Sequence, residues 1–315
     1  MKVGLRNNIC VKGEEATCGS KMLEKYISPY SSTVAEKLNK AGIEIKNIEI
    51  KEFGIEEDNY IKEFFEKNVA DTAIVVDGNG EIARNSTNGL VGLKPTFGLI
   101  SRWGVIMTSP SLEQVGVISK NIEDLKEVLD IVKGYDEKDS GSIKNISVCD
   151  ENNNKELKVA DIKEVKIDSL KYAKVVTYMI SSAETSSNLG RLDGIRYGYR
   201  TKDASNWKEV YTKTRQEGFS YEAKKKMIAG TFFLDVNNME EYYKKAEKVR
   251  AMIKREIEKV FEKVDVLKVA ADSEYTCLAN LTGRPAISIN GVTLIGKFFE
   301  EDRLISLAKT LGGGK

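Results

Sequence analysis

Residues 75–83, VVDGNGEIA, combine two carboxylates, an amide and two glycines in a short run. Acidic and amide residues at alternate positions around a glycine are typical of an EF-hand loop, which ends with a bidentate Glu at its twelfth position. With Asp77 at the third position of such a loop, Val75 would be the first ligand and Ser86 the twelfth. Neither can supply the required carboxylate, so the pattern excludes an EF-hand and we expect no metal.

A phosphate-binding loop is no better supported by this region. A dinucleotide fingerprint needs GxGxxG between a strand and a helix, and a Walker loop ends in Gly-Lys-Ser/Thr. The run 78–89, GNGEIARNSTNG, has neither pattern. Its Asn and Gly residues could form an anion-binding nest, but they are more typical of a plain tight turn. The residues alone therefore predict a turn.

Histidine is absent from all 315 residues. Without it the chain cannot form a Ser-His-Asp triad or a Cys-His dyad, and nearly every type of zinc site is excluded. Catalysis would have to use Lys, Ser, Tyr, Cys or carboxylates. The 49 Lys and Arg nearly cancel the 48 Asp and Glu, so no global field favours nucleic acid or an anionic membrane.

The four cysteines and the hydropathy pattern indicate the cellular class of the protein. Cys10, Cys18, Cys149 and Cys277 form no CxxC pair, and no apolar run approaches the length of a membrane span. We therefore expect reduced thiols, mostly in the core, in a cytoplasmic protein.

Helical and strand patterns are interleaved along the chain. The run from Ser32 to Gly42 has a capping hydroxyl at its start and a glycine at its end, and Asn121 can cap a second helix. The two tryptophans, Trp103 and Trp207, are expected to be packing anchors. The longest helix is predicted at about 239–264, and strands at 43–50, 71–76, 264–270, 286–289 and 291–296. This order predicts an α/β fold around a mixed sheet.

Seven separated runs carry a resemblance to a known family. They are residues 7–42, 89–105, 111–119, 182–200, 214–234, 242–250 and 279–289. Together they resemble the amidase signature family, and within it the A subunits of aspartyl/glutamyl-tRNA(Asn/Gln) amidotransferases. The runs keep the family's order along the chain.

The resemblance implies an α/β/α sandwich formed by a single domain over 1–315, with its weakest seam near 136–158 and without the family's N-terminal helical segment. A subunits of this kind hydrolyse glutamine and send the ammonia to a partner subunit, which uses ATP to amidate a mischarged tRNA. The chain would itself need no cofactor, because ATP and Mg would belong to the partner. Its expected partners are B and C subunits or a second copy of itself, without direct binding of nucleic acid or membrane.

Family catalysis uses a Ser nucleophile, a second Ser on a cis peptide and a neutral Lys that relays a proton. The strand end that carries the Lys matches residues 5–9, where Arg6 stands at the Lys position. A guanidinium stays protonated at any working pH, so Arg6 cannot be the neutral base. The bridging Ser matches Glu57, within a segment, 54–68, that has the pattern of a charged amphipathic helix with Ile61, Phe64 and Phe65 available to pack.

The family's nucleophile loop matches residues 76–83. Asp77, Gly80 and Ile82 are retained, and Glu81 stands where the family has its Ser. A carboxylate can be a nucleophile or a base in other enzymes, but it cannot replace a Ser alkoxide that is activated through Lys. If Arg6 and Glu81 face each other, we expect an inert ion pair across the site.

The resemblance also implies three residues of the glutamine pocket. Tyr178 lies one position out of phase with the pocket Tyr. Lys226 matches the Arg that would bind the substrate carboxylate, and it keeps the charge without the bidentate fork. Asp272 lies beside the position of the pocket Asp, which is Ser273 here.

Three hypotheses follow for the function. The first is a shortened, non-catalytic relative of these A subunits that acts by binding. The second is a working amidohydrolase or glutaminase in which other residues have taken over, and it predicts that activity depends on Glu81 or Arg6. The third is a degenerate paralogue without function.

Overall fold

The computed structural model describes residues 1–53, 55, 59–144 and 157–312. Glu57, which the resemblance matches to the family's bridging Ser, lies outside the described residues. So do Cys149 and the part of the predicted seam between residues 145 and 156.

Nine strands of the described residues form one mixed sheet in the order β2-β1-β3-β5-β4-β8-β9-β7-β6. The strands are β1 Lys2–Arg6, β2 Glu44–Ile48, β3 Thr72–Asp77, β4 Val91–Lys94, β5 Gln114–Ser119, β6 Val159–Asp161, β7 Val266–Ala270, β8 Ala286–Ile289 and β9 Val292–Gly296. β1 is parallel to both β2 and β3, and β6 is parallel to β7. The pairs from β3 to β7 across the centre are antiparallel.

Ten α-helices occur in the part of the chain that the structure describes. They are α1 Thr33–Lys40, α2 Asn59–Glu66, α3 Glu81–Asn85, α4 Ile122–Val132, α5 Ala173–Leu189, α6 Trp207–Gly218, α7 Tyr221–Leu234, α8 Tyr243–Phe261, α9 Leu278–Thr282 and α10 Glu301–Gly312.

Helices cover both faces of the sheet because alternate strand residues point to opposite sides. On β3, Ile74 and Val76 join a core with α1, α4 and α10. Ala73 and Val75 join a core with α2 on the other face, where a further core contains α5, α8 and α9. The fold is therefore the predicted α/β/α sandwich.

Local sequence signals account for three of these helices. Ser32 Oγ accepts a hydrogen bond from Ala35 N at 3.1 Å and caps α1. Asn121 Oδ1 accepts from Asp124 N at 2.8 Å and caps α4. In α2 the three apolar residues of the predicted amphipathic pattern, Ile61, Phe64 and Phe65, are buried.

Two predictions need correction. The long helix α8 begins at Tyr243 rather than near residue 239, because a turn held by the bond from Met239 N to Asp235 O precedes it. Trp207 is 75% exposed, so its prediction as a packing anchor is wrong: it is the first residue of α6 and faces solvent. Trp103 contacts Tyr30, with ring centroids 6.1 Å apart.

Cys10, Cys18 and Cys277 are buried and unbridged. Among the described residues, no helix is both long and apolar enough to cross a bilayer.

Candidate active site

Arg6 and Asp77 lie at the same edge of the sheet, because each ends one of the parallel neighbours β1 and β3. Three residues separate Asp77 from Glu81, where the chain enters α3. The last of those three, Gly80, has φ of 80°, which is a left-handed conformation that favours glycine. A Cβ at this position would also lie 2.5 Å from Thr276 Oγ1. The retained glycine is therefore required by the turn.

The Arg6 guanidinium binds the Glu81 carboxylate through both Nη atoms. Nη1 donates to Oε2 at 2.7 Å, and Nη2 donates to Oε1. Nη1 also donates to Val76 O at 3.2 Å. The Glu81 side chain is fully buried and that of Arg6 is 6% exposed. The structure thus joins Arg6 and Glu81, the two residues that the resemblance matches to the family's Lys and Ser, as a bidentate, charge-assisted pair.

The Asp77 carboxylate holds the turn in place. Its Oδ1 accepts hydrogen bonds from Asn79 N at 2.8 Å and Gly80 N at 2.7 Å, and its Oδ2 accepts from Ile82 N at 3.1 Å. Three backbone N–H groups that would otherwise be unsatisfied after the strand therefore have a common acceptor.

Lys94 and Asn280 complete a buried network around Asp77. Lys94 Nζ lies 3.3 Å from Asp77 Oδ2 and donates to Asn280 Oδ1 at 2.5 Å. Asn280 Nδ2 donates to Asp77 O at 2.8 Å and to Leu112 O at 3.1 Å. Burial would raise the pKa of Asp77, but Lys94, Arg84 and the backbone donors outweigh it and lower the pKa to about 2.

Ile82 fixes the other end of the loop against the sheet. A Cβ at Gly92 would lie 2.6 Å from Ile82 Cγ2, and a Cβ at Gly116 would lie 2.3 Å from Ile82 Cδ1. The two glycines of β4 and β5 therefore leave the space that this isoleucine fills.

One cavity adjoins the ion pair and a second adjoins the turn, and the two contain predicted pocket residues in their lining. A cavity of about 40 Å³ is lined by Arg6 and Lys226, among others. A second cavity, of about 490 Å³, is lined by Tyr178 and Lys226 together with Asn79 of the turn. Asp272 is exposed in the turn after β7 and is not among the described residues that line either cavity.

Glu113 is a buried acid of this site that the sequence analysis missed. It lines the smaller cavity and accepts hydrogen bonds from Thr108 N at 3.0 Å, Thr108 Oγ1 at 2.7 Å and Ser109 Oγ at 3.2 Å. Burial raises its pKa, against opposing effects of these donors and of Lys226. Glu113 lies in the run 111–119, one of the seven that resemble the family. Only the folded structure places Glu113 beside Lys226.

The family model described as Amidase matches residues 1–46, 85–162 and 151–285, which is most of the chain. This protein belongs to the amidase signature family.

Relatives in that family agree with this assignment. The chain is 34% identical to the A subunit of glutamyl-tRNA(Gln) amidotransferase from Macrococcus caseolyticus, over 97% of this chain and 82% of the relative. It is 33% identical to the protein of that name from Clostridium novyi, over 97% of this chain and 81% of the relative. The first alignment runs over 394 residues, which is longer than this chain, so internal segments of the relative have no counterpart here.

Solved amidase structures share the fold. The A subunit of glutamyl-tRNA(Gln) amidotransferase from Thermotoga maritima superimposes with a TM-score of 0.74 at 24% identity, over 99% of this chain and 82% of that one. A 6-aminohexanoate cyclic dimer hydrolase with bound substrate gives a TM-score of 0.73 at 14% identity, over 99% and 84%.

The family model does not match every part of the chain, and one unmatched stretch includes the turn of the site. The family model leaves residues 47–84 and 286–315 unmatched, and the first of these stretches contains Glu57 and Glu81, the residues that the resemblance matches to the family's serines. The retained turn residues Asp77, Gly80 and Ile82 lie in the same stretch.

Ser86, Ser109 and Ser111 make local hydrogen bonds. Ser86 Oγ donates to Ala83 O at 2.8 Å, and Ser111 Oγ accepts from Arg250 Nη1 at 2.9 Å. Ser109 lines both cavities and donates to Glu113. No group of three or more Cys, Asp or Glu side chains that could hold a metal ion occurs in the described ranges.

Proposed function

We propose that this amidase-family protein is a catalytically inactive relative of the amidotransferase A subunits and acts through binding. The observation that carries the proposal is the environment of Glu81. Its carboxylate is fully buried and bound by both Nη atoms of Arg6. These two residues match the family's Ser and Lys.

Arg6 cannot supply the proton transfers of the family mechanism. That mechanism needs a neutral amine that accepts the proton of a hydroxyl nucleophile. Arg6 remains a cation at working pH, and the adjacent Glu81 carboxylate stabilises that charge further. The position of the bridging Ser is taken by Glu57, which has no hydroxyl to relay a proton.

Glu81 is equally unsuited to replace the nucleophile. Attack of its carboxylate on an amide would form an anhydride, and the leaving amine would need a proton. Arg6, the donor that binds Glu81, does not release a proton at working pH. Both carboxylate oxygens accept hydrogen bonds from Arg6, which lowers their nucleophilicity.

The preserved parts of the molecule favour a binding role. Across 97% of its length the chain is 34% identical to a relative named as the A component of an amidotransferase, and such a component works with partner subunits. We propose amidotransferase B and C subunits as partners, with a second copy of the chain as the alternative. ATP and Mg would belong to the partner, and this chain would hold no cofactor.

Size-exclusion chromatography of the chain with B and C subunits of a glutamyl-tRNA(Gln) amidotransferase tests the partner. Co-elution in a stoichiometric complex is expected. Separate elution from both subunits would contradict the assignment of partners. Sedimentation of the chain alone distinguishes a self-associating protein from a monomer.

Ammonia release from glutamine tests the loss of catalysis, with and without B and C subunits. We expect background release in both cases. Release that disappears in Glu81→Ala or Arg6→Ala would instead support a working amidohydrolase with replaced residues. The control variant in the ammonia assay is Ser109→Ala. It removes a hydroxyl that lines both cavities and donates a hydrogen bond to the Glu113 carboxyl.

A further inference from the structure

A separate cavity of about 350 Å³ lies beside α8. Its described lining includes three aromatic residues, Phe97, Phe298 and Phe299, and two cations, Arg250 and Lys254. We call it the aromatic cavity. It shares no described lining residue with the cavity beside Arg6 or with the cavity beside the turn. Its volume is within the range of about 300–1,000 Å³ that is typical of small-molecule sites.

The aromatic walls are held from outside the cavity. The Arg102 guanidinium lies 4.3 Å from the Phe97 ring centroid, and Arg284 lies 4.4 Å from that of Phe298. The Phe298 and Phe299 rings are 6.5 Å apart and tilted by 45°. These contacts orient flat apolar surfaces that can pack against a ring.

The backbone at Phe299 is held in an uncommon conformation. Its φ is 63°, in the left-handed region that bulky residues rarely adopt. Phe299 N donates to Thr96 Oγ1 at 2.9 Å. The neighbouring Thr96 N donates to the buried Glu301 carboxylate at 2.7 Å. Strain of this kind persists where surrounding contacts fix it, and it is frequent at ligand sites.

The two cations lie on one face of α8, because they are four residues apart. Arg250 is fixed: Nε donates to Leu281 O at 3.0 Å, Nη1 to Ser111 Oγ at 2.9 Å and Nη2 to Ser111 O at 2.7 Å. Lys254 is half-buried, and no described carboxylate forms an ion pair with it. Burial lowers the pKa of Lys254, and the positive charge of Arg250 adds to this effect.

The acids of α8 only partly offset these charges. Glu247 lies 3.8 Å from Arg250, and Glu247 and Glu258 act on Lys254 from a greater distance. A half-buried ammonium beside a fixed guanidinium is unfavourable until an anion binds. The aromatic cavity therefore combines flat apolar walls with a cation that lacks an ion-pair partner among the described residues.

We propose that the aromatic cavity binds a small aromatic anion, with its ring against the phenylalanines and its anionic group on Lys254. The two halves of the site select two features of the ligand. A neutral aromatic leaves Lys254 without a counter-ion, and an aliphatic anion leaves the phenylalanine walls unfilled. Binding does not depend on the proposed loss of catalysis at Glu81.

Isothermal titration of the full chain tests this proposal with benzoate, phenylacetate and 3-phenylpropionate as probes. Phenylacetamide is the neutral control and acetate is the control without a ring. We expect saturable binding of at least one aromatic acid. Its affinity should exceed those of phenylacetamide and acetate by tenfold or more. Absence of saturable binding by all three acids at millimolar concentration would overturn the proposal.

Two lysines of α8 provide matched variants. Lys254→Met removes the cavity cation, whereas Lys248→Met removes an exposed lysine from the same helix. The proposal requires a loss of tenfold or more in affinity for the acid in Lys254→Met, and no change in Lys248→Met. Equal affinities of the two variants would overturn it. Because Lys254→Met removes a repelled charge, its thermal midpoint should be no lower than that of the parent chain, so weakened binding would not reflect unfolding.

Discussion

Arg6 and Glu81 place two opposite charges where water has almost no access. Each charge is costly to bury alone, and the bidentate geometry offsets that cost by satisfying both carboxylate oxygens. Removal of either partner alone would leave the other charge buried without a counter-ion, and this is the main way in which the pair affects the stability of the fold. This mutual pairing supports the proposal that Arg6 and Glu81 do not act on a substrate.

Glu81→Gln should lower the free energy of unfolding by about 3–5 kcal/mol, because it leaves the Arg6 cation buried without its counter-ion. The double variant Arg6→Met/Glu81→Leu should lose much less free energy of unfolding than the sum of the losses in Arg6→Met and Glu81→Leu measured separately. Urea unfolding measures both. The control is Glu240→Gln in the exposed Lys244–Glu240 pair, for which no measurable change is expected. Additive single losses would contradict the coupling.

Asp77 predicts a specific dependence of stability on pH. Its pKa is lowered from an ordinary 3.8 to about 2 in the folded protein. The stabilisation is therefore complete above pH about 4 and is lost as the pH falls towards 2, by about 2 kcal/mol. The Asp77→Asn variant should lack this pH-dependent part of the free energy of unfolding, as measured by urea unfolding between pH about 4 and about 2.

The comparison of the two proteins also removes the effect of Glu113, whose raised pKa acts with the opposite sign and is common to both. Parallel curves for the parent chain and Asp77→Asn would show that the Asp77 carboxylate does not contribute as proposed.

At the scale of elements, α2 lies in the segment, 54–68, where the resemblance places the family's bridging Ser. Phe64 packs directly over β1: a Cβ at Gly4 would lie 2.5 Å from its ring. The Phe65 ring meets it edge-on, with centroids 5.6 Å apart. The helix thus contributes apolar packing beside the strand that ends at Arg6.

Phe64→Ala should lower the free energy of unfolding by about 3–5 kcal/mol, since it removes a buried ring and leaves a cavity against β1. Lys62→Ala, on the exposed side of the same helix, should change it by less than about 0.5 kcal/mol. Chemical denaturation of both variants provides the measurement. If Phe64→Ala changed the free energy of unfolding as little as Lys62→Ala, α2 would not be packed firmly on the sheet.

Elements with local signals could be predicted from the sequence, and contacts between distant residues could not. Ser32 and Asn121 mark their helices because a cap is a property of a few neighbouring residues. The Arg6–Glu81 contact joins residues 75 apart, and it arises because β1 and β3 are adjacent and parallel. The resemblance identified the two positions, but the bidentate geometry required the sheet.

Other details depended on tertiary context in the same way. Glu113 has no local mark of function, and its setting beside Lys226 follows from burial against distant segments. Trp207 is exposed although tryptophans are usually packed. The start of α8 at Tyr243 was missed because the preceding turn uses backbone bonds that have no clear sequence pattern.

At the scale of the whole molecule, the chain has the sheet and both helix layers of the amidase fold, and we propose that its reacting groups are replaced. The formal net charge is +1, so the chain as a whole has no strongly positive or negative electrostatic potential. We therefore propose that the molecule acts in assembly or ligand binding, and that the Asp77 network maintains the shape of the turn that the resemblance matches to the family's nucleophile loop.

The most direct test is the rate of ammonia release from glutamine by the purified chain in the presence of B and C subunits. The positive control is the catalytically active A subunit of the same amidotransferase, used in equal concentration, and the mixture without either A-type protein is the blank. We predict a rate of ammonia release equal to that of the blank. A rate above the blank that is lost in Glu81→Ala would contradict it, because Glu81 would then take part in the reaction instead of closing the site.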